Sequence, residues 1–226
     1  SRRVTLGMGL GYVQAEFDAA GVPIDERSGR YREGIELIQR LFHEDVVTFE
    51  GEYFSVEDFR LEPTLGQPPR ILAGGGGVDT DDGRVVADTV KERFLHADGW
   101  IAPPGVPAVL ERDWEAIAEY LESNGGDPAT QDRVALQFLH LVTDEDSARA
   151  TRKQRSVYAD VAGADRESVS STDSWLTGTI DEVAETLAEY ERRGFDEVIV
   201  HPLTTTPGEL DRQLRLYREY LLPAYP

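Results

Sequence analysis

The amino-acid sequence predicts a parallel α/β protein, and three observations carry that expectation. Short apolar runs alternate with amphipathic helical patterns five times along the 226 residues. The apolar runs are continuous rather than alternating, as expected of strands covered by helices on both faces. No Pro/Ser-rich linker or low-complexity tract divides the chain, so it reads as a single domain over 1–226. Two architectures fit this order, an open doubly wound sheet and part of an eight-stranded barrel.

The elements follow in order. Val4 to Gly9, "VTLGMG", reads as a buried strand ending in glycines. Tyr31, Ile35, Ile38 and Phe42 recur at helical spacing and predict a helix from about Ser28 to His43. Val46 to Pro63 is rich in aromatic and β-branched residues around a Glu-Gly turn and reads as a hairpin-like excursion. Ile71 to Ala73 is a second strand feeding four glycines, with a helix expected over Arg84 to His96 and a third strand over Asp98 to Ala102. Leu110, Trp114, Ile117 and Leu121 mark a helix stopped by Asn124-Gly125-Gly126. Val134 to Val142 is the clearest strand; a weakly amphipathic helix over Asp144 to Tyr158 and a polar loop over Ser168 to Ser174 follow. Thr179 with Glu182 forms a capping box for a helix carrying Val183, Leu187 and Tyr190 and closed by Gly194. Glu197 to His201 is the fifth strand, and Thr206-Pro207-Gly208-Glu209 opens the last helix with an N-cap and a proline at its first position.

Composition narrows the function. Asp and Glu total 43 against 23 Lys and Arg, for a net charge of −20, and the lysines are Lys91 and Lys153 alone. Acidic residues dispersed along the whole chain suit a salt-adapted, halophilic cytoplasmic protein, where salt screens the self-repulsion. They argue against a nucleic-acid partner, since no basic stripe could neutralise phosphates. No run of about 18 apolar residues predicts a membrane span, and no signal peptide is visible. Cysteine is absent, which removes disulfides, thiolate metal sites and a cysteine nucleophile.

The most pointed motif is Gly74-Gly75-Gly76-Gly77, at the end of a strand and expected just ahead of a helix, where backbone N–H groups attract anions. Both common nucleotide fingerprints fail at Asp79, which stands where a P-loop needs its second glycine and G-x-G-x-x-G its third. A looser barrel-type phosphate site remains, with a tight structural turn as its rival. Asp79, Asp81 and Asp82 lack histidine neighbours and make a poor metal set, so they are expected to cap the following helix or face solvent. Gly7, Gly9 and Gly11 strip side chains from one strand end, for close approach of a planar ring or for tight packing. His43 and His96 lie near helix ends; His140 and His201 lie near strand C-termini, the reactive end of parallel α/β proteins, and are the candidate catalytic residues. H-E-x-x-H and G-x-S-x-G motifs are absent, so no metal is expected and a bound organic cofactor becomes the natural carrier of chemistry.

The ordered set "LGMGLGYVQAEFDAAGVPIDERSGRYREGIELIQRLF", "FEGEYFSVEDFRLEP", "ILAGGGG", "HADGWIA" and "LTGTIDEVAETLAEYERRGFDEVIVHPL" resembles the bacterial luciferase-like oxidoreductases. The resemblance implies a (β/α)8 TIM barrel, here lacking the first three βα units, with Val46 to Pro63 as an insertion. It implies reduced FMN with oxygen in a monooxygenase, or the deazaflavin F420 in a hydride-transfer enzyme. Gly74 to Gly77 would hold the cofactor phosphate, and Gly9, Leu10, Gly11 and Tyr12 would line the cofactor. The loop after "DGWIA" would approach the phosphate, and Val106 there offers no cation for a longer anionic tail, which favours FMN. Implied partners are a small organic substrate, a flavin reductase supplying FMN and a second copy of the chain. The acidic "VDTDDGRVV" departs from relatives that enter the helix directly. Two rivals stand beside this reading: a flavin-binding protein without turnover, and a sugar-phosphate isomerase or aldolase, which needs a Lys or Glu base the strand ends do not offer.

Overall fold

The computed structural model describes residues 4–63, 68–143, 146–162 and 175–225. The chain divides into two compact units, Ser1–Ile101 with Glu115–Asp132, and Ala102–Trp114 with Arg133–Pro226.

In the first unit, β1 (Thr5–Met8) leads through α1 (Gln14–Ala20) to α2 (Arg27–His43). The expected hairpin is β2 (Val47–Glu50) against β3 (Ser55–Phe59), antiparallel. Glu33 of α2 ties it down, its carboxylate accepting the N–H groups of Glu52, Tyr53 and Phe54 at 2.8, 2.9 and 3.2 Å. β4 (Arg70–Gly74) follows, then β5 (Val78–Thr80), β6 (Gly83–Val85), α3 (Asp88–Lys91) and β7 (Gly99–Ala102), α3 running on as a 3-10 turn over Glu92–His96. Strands β1, β4 and β7 are parallel, with Met8 opposite Ala73 and Ala73 opposite Trp100. The apolar runs of β4 and β7 are the core: Ile71, Leu72, Ala73 and Trp100 are buried together with Phe94, and α2 closes on them with Tyr31 and Ile35, whereas β1, expected to be buried, is exposed to half-buried along its length.

The helix expected from Arg84 needs correction. Val78 to Val85 is a β-hairpin with Asp79 opposite Arg84, and helix begins only at Asp88. The β-branched Val78, Thr80 and Val85 around an Asp82-Gly83 turn, with Gly83 at φ 114°, favour a hairpin over a helix start. Asp79, Asp81 and Asp82 are therefore exposed hairpin residues and not caps, and Asp79 pairs with Arg84 at 3.3 Å.

α4 (Pro107–Ser123) contributes its first half to the second unit and its second half to the first. It stops where expected, at Gly125 (φ 83°), with Gly126 N–H donating to Leu121 O.

The second unit holds β8 (Asp132–Leu141), α5 (Ser147–Ala162), β9 (Leu176–Gly178), α6 (Ile180–Arg192), β10 (Glu197–Pro202) and α7 (Pro207–Leu216), which widens into a π turn over Tyr217–Leu221. β10 runs parallel to β8 from Glu197 opposite Val134 to Pro202 opposite Leu139. The five expected strands are present. β9 is an addition, three residues pairing with the end of β8 and too short to show an apolar signal. The capping box forms: Thr179 Oγ1 accepts Glu182 N–H and the Glu182 carboxylate accepts Thr179 N–H. Alternation along β8 sends Gln137 towards Tyr190 of α6, and Phe138 and His140 towards Tyr158 and Gln154 of α5. The polar loop expected over Ser168 to Ser174 lies outside the described residues. Among the described residues no helix is long and apolar enough to cross a membrane.

Candidate functional site

The first unit brings the two glycine clusters together. Because Met8 pairs with Ala73, the chain leaves β1 at Gly9 beside the point where it leaves β4 at Gly74. The approach is close: a Cβ on Gly74 would lie 3.3 Å from Met8 O and 3.7 Å from Gly9 Cα. Gly75 has φ 151°, and a Cβ there would meet Val90 Cγ1 at 2.9 Å and Arg93 Nη1 at 3.2 Å. Gly7 serves packing, since Ile101 Cδ1 sits 2.9 Å from where its Cβ would be, whereas Gly9 faces open space. Gly11 takes a left-handed turn at φ 72° and delivers Tyr12 with a side chain 78% exposed; Leu10 is half-buried. The candidate residues Gly9 to Tyr12 and Gly74 to Gly77 thus lie at neighbouring strand C-termini.

The glycine turn is fixed from beneath by residues that sequence reasoning did not single out. Trp100 Nε1 donates to Gly75 O, and Gly75 N–H donates to Ile101 O. Arg93 donates through Nη1 to Gly74 O and through Nε to Thr89 O, each at 3.2 Å. Its guanidinium lies over the Tyr31 ring, 5.6 Å from the centroid, and Tyr31 Oη in turn donates to Met8 O at 3.4 Å. Tyr31 and Arg93 therefore link the ends of β1 and β4. Burial pushes the Tyr31 hydroxyl up to about 12, with Arg93 opposing it. Burial also pushes the Arg93 guanidinium below its ordinary value; Tyr31 opposes this and the neighbouring Arg27 adds to it. Nothing in the sequence separates Arg93 from the other arginines of a helical stretch.

The anion cradle expected from a glycine loop plus a helix N-terminus is not what the chain builds. The acidic hairpin stands between the glycines and Asp88, and α3 has four residues. What remains is the turned glycine backbone, an open face at Gly9 and a guanidinium against Gly74 and Gly75. That set fits a phosphate-bearing ring cofactor, through N–H donors for the phosphate and side-chain-free backbone for the ring.

In the second unit His140 is buried, its Nδ1 2.9 Å from Gln154 Nε2 and its Nε2 3.8 Å from Glu209 Oε1. Burial alone would raise the Glu209 carboxyl, but the Gln213 hydrogen bond, Arg212 and His140 outweigh it and hold the group low. His201 is exposed and packs edge-on to Phe138, ring centroids 5.8 Å apart, in a cluster with Tyr158 and Trp175. The two histidines thus have different settings: His140 sits in a polar network out of solvent, and His201 borders an aromatic cluster at the strand C-terminal end. Buried Gln137 and Tyr190 both donate to Gly105 O, and Gln137 Nε2 also donates to Tyr190 Oη, which locks the loop after β7. A cavity of about 460 Å3 lined by Leu187, Phe195, Val198, Tyr217 and Leu221 lies beside the start of β10, away from its C-terminal end. Among the described residues no group of three or more His, Asp or Glu is placed to hold a metal.

Parallel strands followed by helices, with a glycine turn at a strand C-terminus, define a parallel α/β protein with its candidate site at the strand C-termini. The chain belongs to the luciferase-like monooxygenase family, whose model matches residues 3–197. Among curated proteins it is 34% identical to an F420-dependent glucose-6-phosphate dehydrogenase of Kineococcus radiotolerans over 160 residues, 68% of this chain and 43% of that one. The stretches aligned with the first curated relatives span 35–43% of those proteins. Among solved structures, an F420-dependent secondary alcohol dehydrogenase in complex with an F420-acetone adduct superposes with a TM-score of 0.76 at 16% identity, over 99% of this chain and 70% of that one. The monooxygenase RslO1 from Streptomyces bottropensis superposes with a TM-score of 0.75 at 25% identity, over 99% and 69%. The fold is thus the α/β, parallel-stranded part of a luciferase-like TIM barrel.

Proposed function

We propose that the full-length protein is an oxidoreductase that passes hydride between a small organic substrate and a deazaflavin of the F420 type. The observation that carries the reading is the pairing of two side-chain-free strand ends, Gly9 and Gly74, in a family whose curated relatives matched here include F420-dependent dehydrogenases. When bound, a deazaflavin supplies a two-electron hydride acceptor that does not depend on oxygen. The residues of this chain do the holding. The backbone of the Gly74 to Gly77 turn takes the phosphate, through N–H groups other than that of Gly75, which already donates to Ile101 O; Gly9 leaves room for the ring, and Tyr12 offers an exposed aromatic edge. Trp100 and Arg93 keep the turn from relaxing, so its donors stand ready before binding, and little ordering has to be done on association.

The second reading is an FMN monooxygenase fed by a flavin reductase. It is favoured by the likeness to RslO1 and by exposed Val106, which offers no charge to a longer anionic tail. Titrating the full-length protein with F420 and with FMN, following cofactor fluorescence, separates the two. Saturable F420 binding, with loss of the oxidised deazaflavin absorbance on adding an alcohol, is the expected result. Binding of FMN alone, with substrate-dependent oxygen uptake, selects the second reading.

A further inference from the structure

Arg93 is out of keeping with its surroundings. In a chain with 43 acidic residues against 23 basic ones, carboxylates are available almost everywhere. Arg30, Arg40, Arg70, Arg84, Arg193 and Arg212 all take one. Arg93 is half-buried, bonds only to the backbone oxygens of Gly74 and Thr89, and has no carboxylate within ion-pair distance among the described residues. A guanidinium carries five N–H donors; two are used here, and Nη2 has no protein acceptor among the described residues. Another cation, Arg27, adds to the cost of its burial while Tyr31 opposes it, and Arg27 itself donates to Ile24 O at 2.9 Å. Removing a guanidinium from water beside a second one is costly unless an anion completes the arrangement. The missing partner would face Gly74 and Gly75, because Arg93 Nη1 touches the first and lies 3.2 Å from the Cβ position of the second.

We propose that Arg93, with Arg27 beside it, is the charge of a phosphate-binding site at the glycine turn, doing the work that a helix dipole would otherwise do. The ligand is one phosphate group, from the cofactor or from free inorganic phosphate; that the cofactor is its natural source rests on the function proposed above. Arg93 is thus both a positioning residue, through Gly74 O, and a direct contact of the anion.

The test uses the full-length protein without cofactor, heated with millimolar inorganic phosphate or with sodium chloride at equal ionic strength. Phosphate is expected to raise the melting temperature of the wild type, Arg93→Lys to keep part of the rise, and Arg93→Met to abolish it. In a separate titration Arg93→Met is expected to weaken cofactor binding about 10- to 100-fold, the loss of a charge-assisted hydrogen bond, and to flatten its salt dependence. If Arg93→Met does not fold, Arg27→Met carries the test, with a smaller phosphate-induced rise expected. A wild-type phosphate rise in Arg93→Met, or in Arg27→Met when that variant carries the test, overturns the proposal, as does unchanged cofactor affinity in Arg93→Met. Phosphate stabilisation through Arg93 in a protein that binds neither cofactor supports the anion site and overturns the cofactor reading alone.

Discussion

Replacing Gly75 and Gly9 by alanine, one at a time, separates the glycine that shapes the turn from the glycine that leaves room for a ligand. At Gly75 the backbone sits at φ 151°, where an L side chain is strained by about 1–3 kcal/mol. The new Cβ also falls 2.9 Å from Val90 Cγ1 and 3.2 Å from Arg93 Nη1, and overpacking of this kind costs about 1–3 kcal/mol more. Together these destabilise by about 2–6 kcal/mol, or a fall in melting temperature of roughly 4–24 °C for a protein of this size. At Gly9 a Cβ meets nothing within 4 Å and the backbone is unstrained, so Gly9→Ala should change stability by no more than about 1 kcal/mol, with stabilisation possible through the unfolded chain. The assay is thermal unfolding of both variants with and without cofactor. Gly75→Ala is expected to melt early in either condition. Gly9→Ala is expected to melt like wild type without cofactor and to lose most of the cofactor-induced rise. Equal stability losses at both positions, or a wild-type cofactor response in Gly9→Ala, would refute the assignment of roles.

Three further outcomes follow from the geometry. Tyr190→Phe removes the hydroxyl shared by Gln137 and Gly105 and should cost about 1–3 kcal/mol in urea unfolding, with Gln137→Leu coupled to it in a double-mutant cycle. Thr179→Ala should cost about 1 kcal/mol by loss of the α6 cap, read as an earlier urea midpoint. Burial would raise the Glu33 carboxyl, but the three backbone N–H groups and Arg32 outweigh it and hold it below 4.5. Its grip on the β2–β3 hairpin is therefore complete above that ordinary value and is lost as pH falls through the lower folded one. The amide signals of Tyr53 and Phe54 should shift with a midpoint below 4.5 in wild type and show no such step in Glu33→Gln.

Much of the fold was legible because it rests on local signals. Continuous apolar runs placed β1, β4, β7, β8 and β10, and Thr179 with Glu182 and Thr206 with Pro207 placed the starts of α6 and α7. The helix expected from Arg84 starts later because the Asp82-Gly83 turn and its β-branched flanks make Val78 to Val85 a hairpin, which leaves the acidic residues as surface and not as a helix cap. β9 was missed because three residues paired to β8 by register alone carry no pattern. The glycine clusters could be named one by one, but their meeting depends on parallel pairing between residues 65 apart in the chain, Met8 with Ala73, which no local signal encodes. Arg93 was invisible for a related reason: what distinguishes it is that no carboxylate among the described residues pairs with it in space, although Glu92 stands next to it in the chain.

The most direct test of the account is equilibrium binding of F420 to the full-length protein beside its Gly9→Ala and Arg93→Met variants, followed by deazaflavin fluorescence. The account predicts saturable binding to the wild type and weaker binding to both variants, with Gly9→Ala keeping the wild-type melting temperature. Failure of F420 and FMN alike to bind the wild type, or equal affinity in all three proteins, would contradict it.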